Sequence, residues 1–292
     1  MKRTLGYYIF LLLSVVASFA SIIVFANHFT PYLNEQGKIG ILFLGILSVS
    51  FLLHNFYLIF KHSKYREKAK YTEIFGDINI GFSQLHAIGR NEEPSAEIII
   101  QKLTLLCDNV SKAFERVYET NIGVCIKFLI YKDGKPLVQT LVRDSTSTAN
   151  GRKTGISDDT EHWLEKNTDF QFISDNLKSS SVKGFFLNRN LPVLKDYKNT
   201  NLSDDWFHTS LQKLVLFENF LRRRCWPLKY CSTLIVPIVP LIADEQTQDT
   251  LRGFLCLDSP NEGVFNDKVD VDILKGVSDG FYNQIDRLKT IV

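Results

Sequence analysis

Beyond residue 60 this 292-residue chain has no apolar run long enough to cross a bilayer, and nowhere does it carry a CxxC pair, a phosphate-binding glycine loop or an internal repeat. The missing glycine loop excludes a P-loop nucleotide site, and no kinase, cyclase or phosphodiesterase signature stands in its place. Its five cysteines are Cys107, Cys125, Cys225, Cys231 and Cys256, an odd number without metal-ligand spacing. They point to free thiols in a reducing compartment rather than to a disulfide framework. Cationic clusters are scarce as well. Arg222-Arg223-Arg224 is the one local run in a body, residues 71–292, whose net charge is −4. A nucleic-acid partner needs clustered phosphate-neutralising cations, so none is expected, and the triple arginine reads as a solvated loop.

Histidine is scarce too: beyond the basic string at residues 61–70 there are only His86, His162 and His208. Asp204-Asp205-Trp206-Phe207-His208 is the one local grouping that suggests metal or acid–base chemistry. Two carboxylates and one imidazole on a loop are read more simply as a helix cap. No catalytic constellation emerges, no metal site is assigned, and no cofactor is identified. The chain is not expected to be an enzyme.

What is present begins at the amino terminus. Two uncharged apolar runs of 22 residues, Leu5–Ala26 and Ile39–Phe60, stand back to back. At ~1.5 Å per helical residue each could span a hydrocarbon core of ~30 Å. Residues 1–70 carry a net charge of +6, with Lys2 and Arg3 ahead of the first run and Lys61, Lys64, Arg66, Lys68 and Lys70 behind the second. Cationic flanks favour the cytoplasmic side. The expectation is a transmembrane hairpin over residues 1–62 with both termini cytoplasmic, in a multi-pass protein of the bacterial inner (plasma) membrane. A cleaved signal ending at Val24-Phe25-Ala26 is the competing reading. His54 and Asn55 are the strongly polar side chains of the second run, suited to an interfacial place or to a bond with the other helix.

Residues 63–93 read as a connecting helix, with Tyr71, Ile74, Phe75, Ile78, Phe82 and Leu85 at steps of three and four. The remaining residues, 94–292, read as one domain. A second helix follows Ser95, with Ile99, Leu103, Leu106, Val110, Ala113 and Val117 on one stripe. The period then changes to two. Ile122–Tyr131 and Leu137–Arg143 are strands around the hairpin signal Asp133-Gly134. Asp144–Asp159 is a polar loop, Phe170–Ser179 a short helix and Val182–Leu187 a short strand. Residues 231–240 and Arg252–Asp258 are apolar strands joined by the polar turn Asp244–Thr250. A last helix covers Asp267–Ile291, with Leu274, Val277, Phe281, Ile285 and Leu288 in step.

The string Leu141-Val142-Arg143-Asp144, the strand Tyr230-Cys-Ser-Thr-Leu-Ile-Val-Pro-Ile238 and the strand Gly253-Phe-Leu-Cys-Leu-Asp-Ser259 together resemble the GAF domain, a sensor fold related to PAS. The resemblance covers roughly Ser95–Leu288. It implies an α+β fold: an antiparallel sheet with the N- and C-terminal helices on one face and residues 144–230 over the other. It also implies a small-molecule ligand between sheet and insert, for which Arg143, Phe172, Phe186 and Ser232 are the lining candidates. An open cavity of mixed polarity there favours ligand sensing; a filled one favours a purely protein-binding role. The near-heptad stripes suit a homodimer through the helices, and the output falls to an unidentified partner protein or to the hairpin. Sensing at a membrane is the leading expectation; a membrane-perturbing effector of defence or toxin type, triggered through the domain, is the alternative.

Overall fold

The computed structural model describes residues 35–88, 95–154, 158, 160–178, 184–203, 206–207, 218–240 and 251–291, with residues 20, 21, 23, 24, 28 and 31. The chain divides into two compact units, Met1–Ala69 and Lys70–Val292. In the first, helix α1 begins at Glu35 and runs to Ile88, 54 residues. Most of the run Leu5–Ala26, and the break Asn91-Glu92-Glu93-Pro94, lie outside the described residues.

Among the described residues no helix is long and apolar enough to cross a membrane. The run Ile39–Phe60 is not a separate apolar helix. It is one stretch of α1, which continues unbroken through Lys61, Lys64, Arg66, Lys68 and Lys70 and so has no terminus at the end of the run. Asn55 donates its Nδ2 to the Phe51 carbonyl, 2.8 Å away within the same helix. The multi-pass inner-membrane localisation therefore falls. Ile39, Phe43, Ile46, Phe51 and Phe56 are exposed on α1.

The second unit is built around six antiparallel strands. They are β1 (Gly123–Lys132), β2 (Lys135–Arg143), β3 (His162–Trp163), β4 (Phe186–Asn188), β5 (Ser232–Ile238) and β6 (Gly253–Ser259). Their order across the sheet is β3-β2-β1-β6-β5-β4. Asp133 and Gly134 turn β1 into β2 with φ of 53° and 74°. Two left-handed central residues match the twist of the flanking strands, the geometry an Asp-Gly pair favours. Side chains alternate between the faces because successive Cβ atoms point opposite ways. Val124, Ile126, Leu234, Val236, Leu255 and Leu257 enter one core. Cys125, Leu129, Ile235, Phe254 and Cys256 enter the other.

Helix α2 (Ala96–Tyr118) covers the first face with its stripe from Ile99 to Phe114, joined by Ile74, Ile78 and Leu85 of α1. Phe75, placed on the same stripe by sequence spacing, points out and is exposed. The single helix expected over Asp267–Ile291 is two, α6 (Val269–Gly280) and α7 (Tyr282–Ile291), with the chain bent at buried Phe281. Both present apolar residues to the same core. Asp270 fastens α6 to this layer: its carboxylate accepts from Tyr71 Oη at 3.2 Å, from Tyr118 Oη and from the Asn266 amide at 2.6 Å. Burial raises the Asp270 carboxyl above its ordinary value, against the pull of those donors. The α+β arrangement with amino- and carboxy-terminal helices on one face is the one expected.

The opposite face is covered by the segment between β2 and β5. It includes α3 (Ser145–Ala149), α4 (Thr168–Lys178) and α5 (Glu218–Arg224), with 3-10 turns at Leu164–Lys166 and Leu191–Val193. The triple arginine ends α5 and is not a plain solvated loop. Arg222 donates to the carbonyls of Pro192 and Leu194 at 2.9 and 3.3 Å, and its guanidinium lies over the rings of Trp206 and Phe207. Asp204, Asp205 and His208 lie outside the described residues, as does the turn 244–250.

Candidate functional site

Between the sheet and this covering segment lies a cavity of about 410 Å³, open on one side and of mixed polarity. Its floor is the cavity-facing row of the central strands. Cys125 on β1 stands between Arg143 on β2 and Cys256 on β6, and Ile235 on β5 follows Cys256. A second row pairs Thr233 with Asp258. The roof comes from Asn167, Asp169 and Phe170 at the start of α4, and the rim from Arg152, Asn199 and Tyr230.

Most polar groups here already have protein partners. Arg152 Nη2 meets Asp258 Oδ2 at 2.8 Å while its guanidinium lies 5.5 Å over the Tyr230 ring. Thr233 Oγ1 donates to Asp258 Oδ1 at 2.8 Å. Lys127 Nζ bonds Thr140 Oγ1 at 2.9 Å and sits 5.7 Å above the Phe170 ring. Tyr197 Oη donates to Asp169 Oδ2 at 3.0 Å, and Asn199 Nδ2 reaches the hydroxyls of Tyr197 and Tyr230 at 3.3 Å. Arg143 differs. It is 7 % exposed, lines the cavity, and its Nε and Nη1 have no hydrogen-bond partner among the described residues. Asp144, next to it, has turned away: its two oxygens accept from the amides of Val124 and Ser147, each at 2.7 Å.

Two groups of the cavity titrate in opposite directions. Burial pushes the Asp169 carboxyl up to about 6, against the bonds from the Phe170 amide and Tyr197. His162 on β3 is held down to about 4, first by burial and then by the cations Lys127 and Arg143, with Asp158 at 3.6 Å opposing them. The depressed imidazole stabilises the fold above about pH 6.5 and loses that contribution as pH falls toward 4; the raised carboxyl works the other way through the same window. Replacing His162 by Gln should therefore leave Asp169 unopposed. Between pH 7 and about pH 4.5 the unfolding free energy of the variant, from urea titration, should improve relative to the parent by about 2 kcal/mol. Parallel pH profiles of the two proteins would refute the assignment.

The four residues singled out from sequence end in different places. Arg143 lies on the cavity wall. Phe172 is exposed and meets Phe186 edge-on at 5.9 Å, both beside a shallower depression that includes Phe185 and Asp267. Phe186 is otherwise part of the core under the insert. Ser232 is fully buried on the other parity of β5, donating toward the carbonyls of Arg189 and Asn261 at 2.9 and 2.6 Å. The cavity's neighbouring residues are instead Phe170 and Thr233. Among the described residues no group of His, Cys, Asp and Glu could hold a metal ion.

No protein-family model and no curated protein sequence matches this chain. Solved structures do. The GAF domain of a phosphoenolpyruvate-protein phosphotransferase from Coxiella burnetii is similar at a TM-score of 0.42 and 11% identity, over 75% of this chain and 96% of that one. The corresponding Acinetobacter domain gives 0.40 and 10%, over 77% and 96%. The reduced form of fRMsr of Staphylococcus aureus gives 0.37 and 13%, over 71% and 94%.

Proposed function

We propose that residues 70–292 form a sensory domain of GAF type that binds an anionic small molecule in the cavity between sheet and insert. The observation that carries this is Arg143: a guanidinium withdrawn from water with two unsatisfied nitrogens beside open space. A buried cation without a partner is costly, so a site that keeps one is suited to a ligand that completes it. Asp258, Thr233 and Asp169 are each engaged by other side chains and hold the cavity's shape. The ligand's arrival is relayed through β1 and β6, whose alternate residues pack under α2, α6 and α7. A second copy of the chain or a partner protein reads the change at those helices.

The test is thermal unfolding of the full chain against a panel of small carboxylates and phosphate esters. A binding anion at a hundred times its Kd adds about 2.7 kcal/mol, several degrees in Tm for a domain of this size. Arg143→Met should abolish that shift while raising the stability of the ligand-free protein by about 1–3 kcal/mol, because an unpaired buried charge is replaced by an apolar chain. A shift that persists in the variant, or no shift from any anion in the parent, defeats the reading.

A further inference from the structure

We infer that Cys125 and Cys256 form a redox-active dithiol on the cavity floor, closed to a disulfide by a small hydroperoxide that enters the cavity. The two residues are directly opposed in the β1–β6 ladder. Opposed residues of antiparallel strands have Cα atoms about 4.5–5.5 Å apart, inside the range of about 4.4–6.8 Å that a disulfide spans. Both side chains lie on the cavity-facing parity and line the open space, while their neighbours Val124, Ile126, Leu255 and Leu257 point into the helix-side core. Neither is in the bulk of the surface: they are 1 % and 2 % exposed, so the cavity is their approach. The other three thiols lack this setting. Cys107 is packed in the helix-side core, Cys225 is exposed, and Cys231 is half-buried.

The surroundings divide the roles. The contact with Cys256 draws the Cys125 thiol below its ordinary value despite burial, helped by Arg143, which stands opposite Cys125 in the β1–β2 ladder, and by Lys127. Burial pushes the Cys256 thiol up. Cys125 is thus the nucleophile. Its thiolate sulfur attacks one peroxide oxygen and the O–O bond breaks; the departing oxygen takes up the proton that Cys125 released and leaves as water or an alcohol. Cys125 is then a sulfenic acid. The Cys256 sulfur attacks it, the S–O bond breaks, and hydroxide leaves as water with the Cys256 proton. Two electrons pass from the sulfur pair to the peroxide. This inference does not depend on the anion reading, since it uses no ligand.

The experiment treats the reduced full-length protein with equimolar hydrogen peroxide and titrates thiols after unfolding. Two of the five should be lost, peptide mapping should find Cys125 joined to Cys256, and dithiothreitol should restore both. Cys256→Ser should leave a sulfenic acid at Cys125 that dimedone traps, and Cys125→Ser should protect Cys256. The map of the parent protein stands even if a variant fails to fold. Retention of all five thiols, or a bond formed instead by Cys225 or Cys231, overturns the proposal.

Discussion

Replacing Gly253 by Ala should cost about 3–5 kcal/mol, a large share of the ~5–15 kcal/mol that holds a domain together. Gly253 opens β6 opposite Phe128, where β1 shifts register between Ile126 and Lys127. A Cβ there would lie 1.9 Å from the Lys127 carbonyl oxygen and 3.1 Å from the Phe128 Cα. Those are backbone atoms of the adjacent strand, so no rotamer change relieves the clash. Its φ of 157° adds strain for any residue with a side chain. Relief requires β1 and β6 to part, which would open the floor beneath the cavity and free the Leu129 amide from the Arg252 carbonyl it now meets at 2.9 Å. Gly276, mid-way along α6, is the control. Its Cβ would meet nothing within 4 Å. There the same substitution should gain up to about 1 kcal/mol from helix propensity. Urea midpoints moving in opposite directions would support the assignment; a Gly253→Ala protein as stable as the parent would refute it.

The helices and the central strands were legible because their signals are local. The stripe from Ile99 to Val117 repeats at helical spacing, Asp133-Gly134 demands left-handed backbone, and the runs before and after residues 244–250 are apolar enough for a sheet buried on both faces. The cavity was legible only as a place. Its residues come from strands far apart in sequence, and which of two neighbours faces it depends on parity. On β5, Thr233 and Ile235 face the cavity, so Ser232 cannot; a slip of one residue exchanges the faces. In α4, Phe170 and Ile173 turn inward one helical step apart, which carries Phe172 outward. The polar residues inside otherwise apolar strands, Thr233 and Asp258, were the signal available, but their pairing with each other and with Arg152 appears only once β5 and β6 are in register. The membrane expectation rested on run length. Length cannot tell a separate span from one stretch of a helix that continues through charged residues.

That Arg152–Asp258 pair carries the other large effect. Asp258→Ala should destabilise the domain by about 2–4 kcal/mol, somewhat under the figure for a fully buried pair, since the Arg152 side chain keeps 20% exposure. The loss leaves a guanidinium over Tyr230 without its counter-charge and leaves the Thr233 hydroxyl only its bond to the Leu257 carbonyl at 3.1 Å. Arg152→Met should cost less, because Asp258 retains the Thr233 bond at 2.8 Å. The double variant should be more stable than Asp258→Ala alone, giving a coupling of about 1–3 kcal/mol between the two changes. Additive losses would mean the pair contributes nothing beyond its separate side chains. In the parent, Asp258 occupies Arg152, while Arg143 keeps its Nε and Nη1 without hydrogen-bond partners among the described residues. In Asp258→Ala both guanidinium groups face the open space, so added sulfate should recover part of the lost stability in a concentration-dependent way and do far less for Arg152→Met. Recovery equal in the two variants would trace the sulfate effect to the protein surface at large instead of to this cavity.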